Sequence, residues 1–136
     1  MRKELWNWEI ELNDSKKTFK LTAETMYKKS FFVSLAEKTL ITLTKIKRIS
    51  IGNNEKESAR NIIQLFKTDA EFREKWIREL ESRNVFYNLL KSILNDLHKQ
   101  VPTLHLYDVK IENLDFEEAE SDSIKIKVVF SGKFEE

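Results

Sequence analysis

Two histidines are the residues of this sequence best suited to metal chemistry, and Pro102 lies between them. His98 and His105 are separated by seven positions, with Asp96 and Asp108 nearby. Imidazole and carboxylate groups bind zinc and related metals, so these four side chains have suitable chemistry. Their spacing fits no established ligand pattern, however, and a histidine in the last turn of a helix already interacts favourably with the helix carboxyl end. We therefore predict no metal site and no cofactor.

A cluster of acidic residues is the other source of catalytic chemistry, but its surroundings do not suit an enzyme. General acid–base catalysis uses carboxyl groups held in an apolar cleft that separates their pKa values. Here the carboxylates lie in a polar segment, where we expect them to be solvated: Glu117, Glu118, Glu120 and Asp122. The chain also has no cysteine, only two glycines and no motif for a serine nucleophile or a phosphate. We expect a protein that is not an enzyme.

The acidic cluster belongs to a segregation of charge along the chain. Residues 16–48 contain nine Lys and Arg side chains against two Glu, whereas residues 112–136 contain eight acidic side chains against three Lys. The net charge of the whole chain, +1, hides this pattern. Two segments of opposite charge either face each other within one fold or face a partner. The choice between these arrangements is the main functional question.

The basic segment, residues 16–48, supports two hypotheses. Its Lys and Arg side chains are interleaved with Phe and Tyr, a composition that can bind phosphates and stack on the bases of single-stranded nucleic acids. Alternatively, Lys45, Lys47 and Arg48 pair with the acidic residues between Glu117 and Asp122, either across the sheet or between two chains. Pairing between chains would orient a partner, because complementary charges guide association. Exposed strand edges would let that partner bind by strand addition.

Alternating apolar residues predict strands in the amino-terminal part of the chain. Apolar and polar residues alternate before and after a polar turn, which predicts a β-hairpin over residues 5–22 with Trp6 and Trp8 as core anchors. Residues 23–35 contain aromatic side chains at helical spacing, which favours a helix, although a run of three apolar residues would also suit a buried strand. The β-branched residues of 39–51 predict a third strand.

The middle of the chain, residues 55–100, has the apolar period of helices. Thr68 and Glu71 have the spacing of a capping box, which predicts a helix start between two apolar stripes. The widest apolar stripe lies in residues 85–97 and predicts the central core helix. We expect Pro102 to end it.

The apolar period returns to two after the helical segment, which predicts antiparallel strands at 104–113 and 124–131 joined by the acidic loop. The fold class is therefore α+β, with an antiparallel sheet built from the N-terminal and C-terminal strands and packed in two layers against a central helical segment. No linker divides the chain, so we expect one domain over residues 1–136. Its parts are the β-rich segment 5–51, the helical segment 55–100 and the C-terminal hairpin 104–134.

Our leading hypothesis is a small non-catalytic interaction protein or accessory subunit that self-associates. The alternative is a nucleic-acid-binding accessory factor that uses residues 16–48. A third hypothesis is a binder of an apolar small molecule enclosed between the sheet and the helices. The sequence has neither the apolar core of a signal peptide nor an apolar stretch of about 18 residues, so we expect a cytoplasmic protein without membrane contact.

Overall fold

The computed structural model describes residues 7–40, 55–119 and 122–136, which form four strands and four helices. Two strands come first, β1 (Asn7–Asn13) and β2 (Thr18–Lys28). The helices follow as α1 (Lys29–Leu40), α2 (Glu55–Thr68), α3 (Ala70–Ser82) and α4 (Tyr87–Gln100). The chain ends with β3 (His105–Glu118) and β4 (Ser123–Glu135). The predicted α+β class, with N-terminal and C-terminal strands flanking a helical segment, is confirmed.

The four strands form one antiparallel sheet in the order β1-β2-β4-β3. The two terminal hairpins join because β2 pairs with β4 along its whole length. Alternate residues of the three strands β2, β3 and β4 are buried on one face of the sheet, as their period-2 pattern requires. These include Phe19, Leu21, Ala23, Ile111, Leu114, Phe116, Ile124, Ile126, Val128 and Phe130. The helices cover this face.

The centre of the core is an aromatic cluster around Trp76 of α3, which has no exposed surface. Rings from the surrounding elements contact it: Phe32, Phe66, Phe72 and Phe116. The indole Nε1 of Trp76 donates a 2.8 Å hydrogen bond to the buried Thr39 hydroxyl at the end of α1. The polar atom of the largest core side chain is therefore satisfied, as a buried donor must be.

The N-terminal hairpin predicted over residues 5–22 is confirmed for its described part, but the helix predicted over 23–35 begins too early. Strand β2 continues to Lys28, and Tyr27 lies opposite Ile124 on the buried face of the sheet. Helix α1 begins only at Lys29. The aromatic residues with helical spacing lie partly in this strand and partly in the first turn of α1. Their spacing therefore does not come from one helical face. The strand predicted at 39–51 is wrong for residues 39 and 40, which are the last two residues of α1. The rest of it, from residue 41 onward, lies outside the described residues.

Helix α3 begins one residue later than the capping-box spacing predicts. The Asp69 carboxylate, not the Thr68 hydroxyl, caps the helix by accepting a 3.0 Å hydrogen bond from the backbone N–H of Phe72. The Thr68 hydroxyl instead donates to the carbonyl oxygen of Gln64 at the end of α2. Aspartate is at least as good an N-cap residue as threonine. Asp69 is therefore the single residue between the end of α2 at Thr68 and the start of α3 at Ala70.

Helix α3, rather than the predicted segment 85–97, is the central core helix. Helix α3 buries Phe72, Trp76, Ile77 and Leu80. Helix α4 buries Ile93 and Leu97 but leaves Leu89 and Leu90 only half-buried. A wide apolar stripe shows that a helix packs on one side, not that it packs at the centre. No helix within the described ranges is long and apolar enough to cross a membrane.

Strand β3 contains an irregular segment that depends on Gly132 of the neighbouring strand. The register of β3 against β4 shifts twice between residues 107 and 113, and Asp108 adopts a positive φ of 53°. A Cβ atom at Gly132 would lie 2.7 Å from the Phe19 ring and 2.8 Å from the carbonyl oxygen of Tyr107. The bulged backbone of β3 can approach β4 this closely only because residue 132 has no side chain.

Candidate interaction surface

The structure describes three of the seven residues that the sequence suggests for an interaction. Lys45, Lys47, Arg48 and Glu120 lie outside the described residues. Glu117 and Glu118 are the last two residues of β3 and not part of a loop, and Asp122 lies just before β4. The Asp122 carbonyl oxygen accepts a 2.7 Å hydrogen bond from the backbone N–H of Lys29. The acidic hairpin is therefore attached to the beginning of α1.

Glu118 is the centre of an ion cluster within the fold, so the expectation of a fully solvated carboxylate is wrong for this residue. Its Oε2 accepts a 2.9 Å hydrogen bond from Lys29 Nζ, and its Oε1 accepts a 2.8 Å hydrogen bond from Arg60 Nε. The Lys29 side chain is only 4% exposed and the Glu118 side chain 32%. The hydrogen bonds from Arg60 and then Lys29 lower the pKa of Glu118 below its ordinary value of 4.5.

The second face of the sheet is not covered by the described helices, and we refer to it as the open face. Its side chains alternate with the buried set and are exposed or half-buried. They are Asn7, Glu9, Glu11 and Asn13 on β1; Thr18, Lys20, Thr22, Glu24, Met26 and Lys28 on β2; Ser123, Lys125, Lys127, Val129, Ser131 and Lys133 on β4; and Tyr107, Lys110, Asn113, Asp115 and Glu117 on β3. Most of this surface is polar, with lysines concentrated on the two central strands.

The described lysines of the basic segment 16–48 do not share one surface. Lys20 and Lys28 occupy open-face positions of β2, whereas Lys29 is buried against Glu118. Lys17 lies in the β1–β2 turn with a positive φ of 57°, and its ammonium group is 5.5 Å from the centre of the Phe134 ring. The separation of these cations does not favour a single nucleic-acid platform, which would need them along one groove.

Three ion pairs on and beside the open face neutralise acidic residues of β3. Lys125 lies 3.5 Å from Glu117, Lys133 lies 3.8 Å from Asp108, and Lys20 lies 3.6 Å from Glu112. The acidic side chains of β1 are different. Among the ion pairs between described residues, none includes Glu9 or Glu11. The open face therefore has an acidic margin along β1 that no ion pair between described residues neutralises.

The outer edge of β3 is covered at Ile111 by side chains of α3. Arg78 Nη2 donates a 2.6 Å hydrogen bond to the carbonyl oxygen of Ile111, and Glu81 Oε2 accepts a 2.6 Å hydrogen bond from the N–H of the same residue. Arg78 and Glu81 also bond to each other at 2.6 Å. The two side chains occupy the positions that a neighbouring strand would use. Such covering prevents an exposed edge from pairing with another chain.

Backbone hydrogen bonds show which groups of β1 point outward. The N–H of Phe134 donates a 3.0 Å hydrogen bond to the carbonyl oxygen of Lys17, so the next residue, Thr18, directs its backbone groups towards β1. Every second residue of β2 from Thr18 onward also directs its backbone groups towards β1. The partners of these residues in β1 are Asn13, Glu11, Glu9 and Asn7. The backbone N–H and C=O groups of the three residues between them point away from the sheet: Trp8, Ile10 and Leu12.

We refer to this outward side of residues 7–13 as the β1 edge. In the described part of the chain no strand pairs with it. The side chains of Trp8 and Ile10 are half-buried and Leu12 is 40% exposed, all three on the side of the sheet that carries the helices. The sheet therefore has one edge that α3 covers at Ile111 and one that no described strand pairs with. Sequence reasoning recognised β1 as a strand but could not identify it as an edge.

Two pockets among the described residues do not favour a site for an apolar small molecule. A pocket with apolar walls between α3, α4 and β3 has a volume of about 90 Å³, with Phe86, Leu90 and Phe130 in its lining. Ligand pockets are usually about 300–1,000 Å³, so this one is too small for most ligands. A groove of about 1000 Å³ on the open face is wide and shallow, and it is lined by charges of both signs, including Lys20, Lys110 and Glu112.

Among the described residues, the two histidines belong to no metal-binding group. His98 near the end of α4 and His105 at the start of β3 are both exposed. Within the described residues there is no group of three or more side chains that could hold a metal ion.

Comparison with known proteins finds no matching family model, no matching curated protein and no matching solved structure. A functional assignment must therefore be built on the geometry of this chain.

Proposed function

We propose that this protein is a non-catalytic interaction protein, an accessory subunit or a self-associating protein, whose contact surface is the open face of the sheet. The observation that carries the proposal is that the described helices pack on only one of the two faces. Antiparallel sheets tolerate one solvated face, so exposure alone does not require a partner. The open face also presents half-exposed apolar side chains among its polar groups, with Met26 47% and Tyr107 43% exposed. Such a mixture is typical of a protein contact surface.

The dimensions of the open face suit a protein contact of modest size. Three of its strands have 11 to 14 residues and β1 has 7. At about 3.3 Å per residue and about 4.8 Å between strands, the four strands cover roughly 700 Å² in projection. A standard interface buries about 800 Å² on each partner. The open face therefore provides most of such an interface, and a neighbouring edge would supply the remainder.

The charges of the open face favour an oriented contact over a tight apolar one. Lysines of β4 and β2 lie in its middle and acidic side chains lie along both margins. A partner with the complementary arrangement would be guided into one register, because complementary charges affect association rate and orientation more than affinity. Two copies can meet this requirement if the acidic margin of one covers the basic centre of the other.

The test combines the mass of the protein with the effect of open-face substitutions. The wild-type protein is measured by size-exclusion chromatography with light scattering at about 0.05 M and about 1 M salt, where the Debye length falls from above 10 Å to roughly 3 Å. The same protein captures partners from its native extract. The test variant is Met26→Glu with Tyr107→Glu. The matched control is Tyr87→Glu, which changes an exposed aromatic residue of α4.

We expect self-association or a captured protein that is lost at high salt and in the open-face variant, and retained in the control. A wild-type protein that is monomeric at both salt concentrations, and whose captured proteins are the same for all variants, would overturn the proposal. Binding of single-stranded RNA or DNA at low salt, removed by Lys20→Glu with Lys28→Glu in the basic segment 16–48, would replace it with the nucleic-acid alternative.

A further inference from the structure

We propose that the β1 edge binds an extended segment of a partner protein in which basic and apolar side chains alternate. The inference rests on the proposed function, because it specifies one element of the same contact surface. Strand addition requires unpaired backbone groups in a row, and Trp8, Ile10 and Leu12 supply them along β1. The opposite edge of the sheet is closed at Ile111 by Arg78 and Glu81. No hydrogen bond between described residues covers the outward backbone groups of Trp8, Ile10 or Leu12 in this way.

The side chains of β1 define the chemistry of the segment. A residue placed opposite Glu9 or Glu11 lies on the open face, where neither carboxylate has an ion-pair partner among the described residues. A lysine or arginine there would gain a cross-strand ion pair. A residue opposite Trp8, Ile10 or Leu12 lies on the helix-bearing side, beside half-exposed apolar groups. An apolar side chain there would bury surface. Alternation of the two types follows from the pleat of the strand.

A second copy of the same strand does not meet these requirements. The residues with outward backbone groups are 8, 10 and 12, so a symmetric antiparallel pair must match even-numbered residues with even-numbered ones. With Ile10 at the twofold axis, Glu9 lies directly opposite Glu11 of the other copy. Shifting the register by one pair in one direction places Glu9 opposite Glu9 of the other copy. Shifting it in the other direction places Glu11 opposite Glu11 of the other copy. Like charges directly opposite each other are destabilising, and these are the closely spaced, non-hydrogen-bonded pairs. The occupant is therefore a different, basic sequence.

The test uses a defined peptide, because the proposal states the chemistry of the partner and not its identity. The probe is a labelled seven-residue peptide of alternating valine and lysine, capped at both ends. One comparison peptide has glutamate in place of lysine, and another has the same composition with lysines and valines in separate blocks. Binding is measured by fluorescence anisotropy at about 0.05 M salt, and amide hydrogen exchange locates the peptide on the protein.

We expect the alternating basic peptide to bind with a Kd below about 1 mM and to protect the amides of Trp8, Ile10 and Leu12 from exchange. Leu12→Pro removes one outward N–H without touching the ladder to β2, since proline is tolerated on an edge strand. It should weaken binding about fivefold or more, the effect of one hydrogen bond of average strength. The control Leu12→Thr retains the N–H and tests the apolar contact separately.

The charge of the edge is tested independently of the proline substitution. Glu9→Gln with Glu11→Gln should weaken binding of the basic peptide by about twofold to thirtyfold, the range for two cross-strand ion pairs. The control Glu37→Gln with Glu71→Gln removes the same number of charges from exposed positions of α1 and α3, away from β1, and should have no comparable effect. This pair of variants remains informative if Leu12→Pro does not fold.

Three results would overturn the inference: no binding below about 1 mM, equal binding of the glutamate or block peptides, or amide protection elsewhere than β1. Its failure is distinguishable from failure of the proposed function. A natural partner that is lost in the Met26 and Tyr107 variant but retained in Leu12→Pro would leave the open face as the contact surface and exclude the β1 edge.

Discussion

Glu118→Gln tests whether the acidic hairpin is part of the fold's own electrostatics. The substitution preserves the shape of the side chain but removes the negative charge that Lys29 and Arg60 contact at 2.9 Å and 2.8 Å. The Arg60 side chain is 58% exposed, so its ion pair contributes about 0–1 kcal/mol. The hydrogen bond from the buried Lys29 ammonium contributes about 1.5–3 kcal/mol as a charged interaction. Two effects make the loss smaller than this full contribution. Lys29 keeps a further interaction in the variant, and the amide oxygen of glutamine still accepts a weaker hydrogen bond from it.

We therefore expect Glu118→Gln to lower the free energy of unfolding at pH 7 by about 1–2 kcal/mol, or the Tm by roughly 3–10 °C. Glu117→Gln is the matched control. It changes the adjacent residue, whose 3.5 Å pair with Lys125 joins side chains that are 58% and 40% exposed. It should cost less than about 1 kcal/mol. Both variants are measured by urea denaturation.

The pH dependence provides the sharper criterion. The folded protein lowers the pKa of Glu118, so the unfolded chain binds this proton more readily than the folded one. The stabilisation is fully present above the ordinary pKa of 4.5 and is lost as the pH falls through the lowered value. The difference between wild type and Glu118→Gln should thus be constant near neutrality and shrink below about pH 4.5. Equal stability of the two proteins at pH 7, or a difference that persists unchanged in acid, would refute the reasoning.

Two substitutions test the packing that supports the sheet. Gly132→Ala places a Cβ atom 2.7 Å from the Phe19 ring, and we expect a loss of about 1–3 kcal/mol in a denaturant melt, the range for overpacking a close contact; a neutral effect would mean that the bulge in β3 relaxes easily. Thr39→Val retains the size of the side chain but removes the acceptor for Trp76 Nε1. Leaving that donor unsatisfied should cost about 1–3 kcal/mol, visible in the same melt together with a change in Trp fluorescence.

The elements of the fold follow from apolar period, but their boundaries and relative positions do not. The return to a period of two after Pro102 predicts the C-terminal hairpin because every second residue faces the helices. The predicted helix at 23–35 is wrong at its start. Tyr27 and Phe31 are four residues apart, as on one helical face, but Tyr27 lies in β2 and Phe31 in α1. Their rings meet at 4.8 Å across that junction. Sequence spacing cannot separate this contact from a helical one.

The candidate interaction surface is even less accessible to sequence reasoning because it depends on contacts between distant residues. Glu118 and Arg60 are 58 positions apart, and nothing local to the acidic segment indicates that one of its carboxylates binds a buried lysine. The identity of the sheet edges depends on strand order, which period alone does not specify. The charge segregation along the chain was a real signal, but the fold pairs part of it internally and leaves Glu9 and Glu11, outside both charged segments, without ion-pair partners among the described residues.

The covered edge of β3 is as informative as the open edge of β1, and it can be tested by removing its cover. In the variant Arg78→Ala with Glu81→Ala the backbone N–H and C=O groups of Ile111 lose the partners that they now contact at 2.6 Å. The control Arg83→Ala removes an arginine from the end of the same region, where it pairs with Glu79 rather than with the sheet.

We expect the double variant to exchange the Ile111 amide faster and to self-associate with increasing concentration, because an uncovered strand edge is a template for another chain. The control should remain like the wild type. Light scattering measures the mass and hydrogen exchange measures the amide. The contrary result is a double variant that keeps the mass and the Ile111 protection of wild type. The bulge at 107–113 would then be sufficient by itself to prevent pairing at this edge. In that case β1 differs from β3 in having a regular backbone, not in lacking a covering side chain.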